Sequence, residues 1–114
     1  MSKHRTIIKN LSDIDQLATS HNVGIKKILL ANEETISTIT QIAVTTLNID
    51  DSVNEHVHLT MDEHYYFLEG EGIMMVDDEE VKCYPGRFIL VPAGSRHSLK
   101  VTTSMTFITI GNAL

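Results

Sequence analysis

Apolar and polar residues alternate over most of the chain from Ile25 onward, in short runs interrupted by glycine, proline or paired acidic residues. A period of two residues is typical of β-strands, and about ten such runs with turn residues between them indicate an all-β sandwich or barrel. The pattern predicts one strand over Ile25–Leu30 and a long Thr/Ile/Val-rich strand over Thr35–Ile49.

Turn-forming residues divide the second half of the chain. The two glycines within Leu68–Gly72 predict a hairpin connection, because glycine adopts positive φ without strain. A second hairpin turn is predicted at Asp77–Asp78, and Pro85–Gly86 has the chemistry of a type II turn. Three further strands are predicted among and after these turns: Phe88–Val91, Leu99–Thr102 and Met105–Ile110.

The N-terminal third lacks the β-branched, alternating pattern of the residues from Ile25 onward. A short edge strand is predicted over residues 5–9, and Ser12 is a suitable N-cap for a brief helix through Leu17–Ala18. We therefore expect a single domain spanning residues 1–114, in which residues 1–34 form a strand and helix extension and residues 35–114 form the barrel.

Chemistry-bearing residues concentrate around an H-x-H pair, His56 and His58. Alternate residues of a strand share one face, so both imidazoles point to the same side of the sheet. A transition-metal site also needs a carboxylate and a further imidazole. Glu63 opens the next extended run and His97 follows a turn rich in proline and glycine. We predict that these four side chains converge on one metal ion.

The spacing of these residues resembles the two motifs of the cupin family. The first segment reads H-x-H, four residues, Glu63, six residues, Gly70; the second reads Gly86, five residues, Pro92-x-Gly94, two residues, His97. Two spaced patterns in the right order are a far more specific signal than a lone H-x-H. The spacer between Gly70 and Gly86 is similar to that of small bacterial members.

The resemblance implies an antiparallel β-barrel, a jelly roll or double-stranded β-helix, with a metal ion inside it. Carried over position by position, the ligands are His56, His58, Glu63 and His97. Two positions depart from the family pattern: Asp50 stands where a glycine is expected, and Val101 where an asparagine is expected. Both lie outside the ligand set.

Three imidazoles and one carboxylate suit Fe, Mn, Ni, Co or Zn as the divalent ion. They do not suit calcium, which prefers oxygen ligands, or a closed structural zinc site, which prefers thiolates. An octahedral metal would keep two positions open for a small-molecule ligand, whereas a tetrahedral zinc ion would keep none. The identity of the metal therefore decides whether chemistry is possible.

Four further residues are candidates for the pocket wall. If Glu63 points inward, Tyr65 and Phe67 do so too by the two-residue period, either as pocket wall or as plain core. Met61, within the first motif, could fill a gap in the wall, since methionines are more often gap-fillers than ligands. Arg87 could neutralise an anionic substrate, although a solvated arginine is the commoner case.

Other polar residues near the motifs have simpler interpretations. Asp62 could compete as the carboxylate ligand, but it does not satisfy the six-residue gap to Gly70. His64 is predicted on the outer face of its strand, as a surface or interface residue. His4 and His21 are expected to be solvated. Cys83 is either a buried apolar residue or a free thiol, and nothing near it in the sequence argues for a lowered pKa.

Composition narrows the class of partner. The net charge of −6 and only 9 Lys and Arg residues argue against a nucleic-acid surface. Because no apolar run approaches the ~20 residues of a membrane span, no membrane partner is expected. One cysteine and the lack of a signal-peptide pattern favour a cytoplasmic protein. A small molecule is the expected ligand.

The long predicted strand is apolar on both faces, which is typical of a strand covered on both sides. Together with the family resemblance, it predicts a homodimer. Three functions remain open: a metalloenzyme of isomerase, decarboxylase or dioxygenase type acting on a small oxygenated metabolite, a non-catalytic small-molecule or metal-binding module, and a structural role. The sequence has no helix-turn-helix pattern and no second barrel.

Overall fold

The structure is a computed structural model and describes residues 6–114. Within this range the chain forms eight strands of one antiparallel sheet. The strands are β1 (Leu17–Ala18), β2 (Ile25–Ala31), β3 (Ile39–Leu47), β4 (Ser52–Val57), β5 (Met61–Val76), β6 (Glu79–Cys83), β7 (Phe88–Val91) and β8 (Arg96–Ala113).

Strands β5 and β8 are the longest and hold the sheet together. The N-terminal half of β8 pairs with β4 and with the end of β5, whereas its C-terminal half pairs with β3 and with the start of β5. Strands β2 and β1 extend the sheet beyond β3, and β7 and β6 pair with the two ends of β5. The sheet therefore folds over on itself as a rolled barrel.

The barrel core lies between the two halves of the sheet. Its members are apolar residues at alternate positions of β3, β5 and β8, with contributions from β6 and β7, as the two-residue period requires. The most buried large side chains are Phe67, Leu47, Met74, Met105, Val91, Val101 and Cys83. The predicted all-β barrel is confirmed. Polar residues occupy one end of the barrel, beyond this core.

The hairpin predicted at Leu68–Gly72 is wrong, because β5 continues through this segment. Gly70 has φ +82°, and the pairing register with β8 shifts on either side of it. A positive φ bends the strand here instead of reversing it. Likewise, the two closing strands predicted over Leu99–Ile110 form the single strand β8.

The other two predicted turns are confirmed. Asp77 and Asp78 have φ +48° and +69° and join β5 to β6. At Pro85–Gly86 the Arg87 N–H donates to the Tyr84 carbonyl over 3.0 Å, and Gly86 has φ +88°. Both turns therefore use residues that tolerate positive φ.

The predicted N-terminal helix is wrong. Its place is taken by a three-residue 3₁₀ turn at Leu11–Asp13, and Leu17–Ala18 pairs with β2 as a strand. No residue of the turn is buried, so it lacks the packed face that stabilises a short helix. The strand expected around Ile7 is also wrong, since residues 6–10 have no regular structure; His4 lies outside the described residues.

The long strand predicted over Thr35–Ile49 is shorter at both ends, since β3 spans Ile39–Leu47. Because β1 and β2 pair onto β3, the N-terminal segment becomes part of the same sheet. Within residues 6–114, no helix is long and apolar enough to cross a membrane.

Candidate metal centre

Two of the predicted ligands meet through strand pairing. His56 near the end of β4 and His97 near the start of β8 are direct cross-strand partners, and their ring centroids lie 4.1 Å apart. Opposite residues of an antiparallel pair point to the same face. The alternation of β4 and β8 thus brings both imidazoles to the polar end of the barrel.

The other two predicted ligands reach the same place from the loop after β4 and from the start of β5. His58 follows β4, and its carbonyl accepts the N–H of Gly94 over 2.8 Å. This bond ties the loop after β4 to the turn that precedes His97. Glu63 is the third residue of β5 and pairs with Gly111 of β8 on one side and Val91 of β7 on the other.

The four side chains form one compact cluster, in which one donor atom from each lies within 4.8 Å of the others. Ligands of a divalent ion with bonds of ~2.1 Å lie at most ~4.2 Å apart across the ion. The cluster is therefore close to the size of a coordination shell.

Hydrogen bonds to the backbone set the direction of the imidazole lone pairs. His56 Nδ1 donates to the Asn54 carbonyl over 2.8 Å, and His97 Nδ1 lies 3.2 Å from the Ser95 carbonyl. A carbonyl can only accept, so each Nδ1 carries the proton and each Nε2 of the neutral ring presents a lone pair.

Two imidazole nitrogens, from His97 and His58, face the carboxylate of Glu63. His97 Nε2 lies 3.2 Å from Glu63 Oε1, and His58 Nε2 lies 3.6 Å from the same oxygen. His58 Nε2 is buried without a hydrogen-bond partner. Electron-rich atoms that face one another repel unless a cation lies between them, and an unpartnered buried nitrogen is costly. The donor set therefore fits a divalent metal ion.

Tyr65 supports the carboxylate from the next inward position of β5. Its hydroxyl donates to Glu63 Oε1 over 2.5 Å. Burial by itself would raise the pKa of Glu63, but the neighbouring His97 ring and the hydrogen bond from Tyr65 outweigh it and hold that pKa below its ordinary value. Burial, followed by the nearby Glu63 charge, raises the pKa of Tyr65 well above 10. Glu63 is therefore ionised and Tyr65 is protonated at neutral pH.

The cluster opens into a cavity of about 180 Å³. The wall beyond the cluster is mixed, with hydroxyl, amide and apolar groups from β2, β3, β4, β5 and β8 and from the segment before β2. Its residues outside the cluster are Thr19, Ser20, His21, Val23, Lys26, Gln41, Thr45, Leu47, Val53, Met61, Tyr65, Met74, Ser98, Leu99, Phe107 and Thr109.

Of the four residues predicted for the pocket wall, the structure brings two to the cavity. Met61 and Tyr65 line it. Phe67 points inward as expected but packs in the core with no exposed surface. Arg87 lies outside the lining, where it donates to the Tyr84 hydroxyl over 2.5 Å and covers the Tyr84 ring. The expectation that Arg87 faces the pocket is corrected accordingly.

The structure also separates the competing residues beside Glu63. Asp62 Oδ1 accepts the N–H of Ala93 over 2.9 Å, so this carboxylate holds the turn before β8. His64 stacks on Phe88 at 5.9 Å between ring centroids, on the outer face of the barrel. Neither residue belongs to the cluster.

Sequence reasoning missed the contribution of the N-terminal segment. His21, which was expected to be solvated, lines the cavity with its ring centroid 4.2 Å from that of His56. Lys26 and Gln41 line it too, and the Lys26 ammonium donates to Gln41 Oε1 over 3.2 Å. Because these residues lie far from the motifs in sequence, no local pattern links them to the site. The inward position of a lysine in an alternating strand is the one signal that could have been noticed.

Comparison with known proteins places these features in a family context. Residues 43–111, more than half of the chain, match the family model described as a cupin domain. This region contains all four residues of the cluster.

Three similar proteins illustrate how varied the matching proteins are. A quercetin 2,3-dioxygenase of Bacillus subtilis is 36% identical over 56 residues, which cover 49% of this chain and 17% of that protein, so this chain spans a minor part of its length. A predicted oxalate decarboxylase of Thermotoga maritima shares the fold with a TM-score of 0.84, at 23% identity over 95% of this chain and 100% of that one. An ectoine synthase from P. lautus also shares the fold, with a TM-score of 0.83 and 20% identity over 95% of this chain and 78% of that one.

Proposed function

This chain belongs to the cupin family, and on that premise we propose that it binds a divalent metal ion through His56, His58, Glu63 and His97 and acts as a small metalloenzyme. The observation that carries the proposal is the set of converging lone pairs: imidazole nitrogens and a carboxylate face one another, and His58 Nε2 has no other partner. The ion is Fe, Mn, Ni, Co or Zn, because these accept mixed nitrogen and oxygen ligands.

The substrate in this proposal is a small oxygenated metabolite that enters the cavity beside the cluster. A divalent ion held by this cluster supplies a Lewis acid for the oxygen atoms of a chelating ligand. Glu63 offsets one of its two charges, Tyr65 orients Glu63, and the Met61 and Leu99 side chains make part of the wall apolar. Isomerase, decarboxylase and dioxygenase chemistry all use such a site.

A binding module without turnover is the alternative, and one observation favours it. Among the described cavity-lining residues, the titratable groups outside the cluster are His21, Lys26 and Tyr65. Tyr65 holds its proton on Glu63 and has a raised pKa, so it is a poor base. Only His21, whose pKa is lowered first by burial, remains for proton transfer among these residues, and this scarcity favours binding without turnover.

Metal content tests the binding part of the proposal. Protein purified without chelators should contain about one divalent ion per chain by elemental analysis, and His58→Ala should lower this content strongly while retaining the fold. His64→Ala is the matched control, since this imidazole lies on the outer face. Folded wild-type protein that takes up no Fe, Mn, Ni, Co or Zn would contradict the proposal.

Turnover separates the enzyme from the binding module. Protein loaded with Fe(II), Mn(II) or Ni(II) is screened for oxygen uptake and for product formation on diketones, oxo acids and thiols. Product formation that disappears in His58→Ala supports the metalloenzyme. Binding of such compounds without any product supports the binding module.

We also propose a homodimer. Four large apolar side chains on the outer face of β5 and β7 are exposed, and they form the outer patch: Tyr66, Leu68, Phe88 and Leu90. The pairing register continues this patch across β8 and β3 through Ile108 and Val44. A flat apolar face of this width suits a second copy of the same face, related by a two-fold axis.

A further inference from the structure

One charged residue of the cavity has no role in the proposed site. Lys26 of β2 is paired with Thr45 of β3, and Thr45 is a buried residue of the cavity wall. Opposite residues of an antiparallel pair share a face, so Lys26 points into the barrel. Its neighbour Lys27 belongs to the other face, where it donates to the Leu11 carbonyl over 3.1 Å.

The Lys26 ammonium points along the wall toward the level of the cluster. It donates to Gln41 Oε1, and Gln41, Gly111 and Glu63 occupy one cross-strand row. Two strand spacings of ~4.8 Å place Gln41 and Glu63 about 10 Å apart at the backbone. The hydrogen bond to Gln41 therefore holds the Lys26 ammonium on the side of the cavity that lies two strands away from Glu63.

Once a divalent ion is bound, the positive charges that face the cavity exceed the negative ones. Lys26 is the one lysine and Glu63 the one carboxylate among the described lining residues. Two charges on the ion, less one on Glu63 and plus one on Lys26, give a net charge of about +2 facing the cavity. Within residues 6–114, no salt bridge joins Lys26 to a carboxylate.

We propose that the ligand of this site is a short dianionic acid, in which an oxo acid or similar group chelates the metal ion and a second carboxylate pairs with Lys26. This inference rests on the proposed metal site and specifies its substrate class. The ligand must also be small, because a cavity of about 180 Å³ lies below the ~300–1,000 Å³ typical of sites for drug-sized molecules.

The experiment compares two probes and three variants on Co(II)-loaded protein. The probes are 2-oxoglutarate and 2-oxopentanoate, which share the chelating oxo acid and differ in the terminal carboxylate. The variants are Lys26→Met, Lys26→Arg and, as the matched control on the opposite face, Lys27→Met. Affinity is measured by calorimetry and by the change in the cobalt absorption spectrum, so no turnover is needed.

We expect 2-oxoglutarate to bind wild-type protein more tightly than 2-oxopentanoate. Lys26→Met should weaken 2-oxoglutarate binding by about tenfold to a hundredfold, the usual effect of losing a hydrogen bond to a charged group. The same variant should leave 2-oxopentanoate binding unchanged. Lys26→Arg should retain most of the preference, and Lys27→Met should retain all of it.

Equal affinity for the two probes in wild-type protein, or a Lys26→Met variant that weakens both probes alike, would overturn the role of Lys26 while the metal site stands. Failure of the metal site has a different signature. In that case wild-type protein acquires no cobalt spectrum before any probe is added, and the proposed function fails together with this inference.

Discussion

At the scale of single residues, the direction of the imidazole protons determines what the cluster can bind. Two backbone carbonyls accept the Nδ1 protons of His56 and His97, which leaves the Nε2 lone pairs of both rings free for a metal ion. The strand alternation that predicted which residues face inward comes directly from the sequence. The carbonyl partners, and the approach of His21 and Lys26, depend on pairing between distant segments and could not be predicted.

The hydroxyl of Tyr65 should matter for metal affinity through Glu63. Tyr65→Phe removes the hydrogen bond to Glu63 Oε1 and leaves the ring in the core. Groups that hydrogen-bond to a ligand typically contribute 10–100-fold to affinity, so we expect a loss of about tenfold in competition titrations with a chelating dye. Tyr66→Phe, on the outer face, should have no effect; equal affinities in all three proteins would contradict this role.

The thiol of Cys83 should be inert in the folded protein. Burial raises its pKa to about 11, so only about one thiol in a thousand is ionised at pH 8. Reaction with a disulfide reagent at pH 8 should therefore be slow in the native protein and fast in guanidinium, where the side chain is exposed. A rapid reaction of the native protein would contradict the buried position of this residue.

At the scale of elements, the bend of β5 is the feature that sequence reasoning misassigned. A glycine with positive φ serves equally in a hairpin turn and in a bent strand, so Leu68–Gly72 was assigned to the wrong one. The predictions on either side of this segment are correct. Glu63 faces the interior of the barrel, and the turn at Asp77 joins β5 to β6. Only the pairing of β5 with β8 on both sides of Gly70 distinguishes the alternatives.

Gly70 and Gly86 make a matched pair for testing the bend. Both have positive φ, but a Cβ at Gly70 would overlap the Ser104 carbonyl and the backbone of Met105, whereas nothing lies within 4 Å at Gly86. Gly86→Ala should lower the free energy of unfolding by roughly 1–2 kcal/mol from the backbone conformation alone. Gly70→Ala should lower it by an additional ~1–3 kcal/mol through steric overlap.

Urea unfolding at pH 7 measures both effects. If Gly70→Ala were no more destabilising than Gly86→Ala, the close approach of β5 and β8 at the bend would be disproved. Circular dichroism of each variant before unfolding checks that the sheet is retained.

At the scale of the whole molecule, the outer patch predicts association. Phe88 belongs to this patch and is 57% exposed. Phe88→Asp would place a charge in the proposed interface, so it should shift the protein from dimer to monomer in sedimentation velocity runs at micromolar concentration. Ile49→Asp is the control, since this residue is similarly exposed, at 59%, outside the outer patch. A monomeric wild-type protein would contradict the dimer.

The most direct test of the metal site is an anomalous difference map from crystals of the Co(II)-loaded protein. The proposed site predicts one peak per chain, with His56, His58, Glu63 and His97 each contributing one donor atom at about 2.0–2.2 Å. A strong peak elsewhere on the molecule, or one that Glu63 and the three imidazoles do not share, would contradict the proposed metal centre.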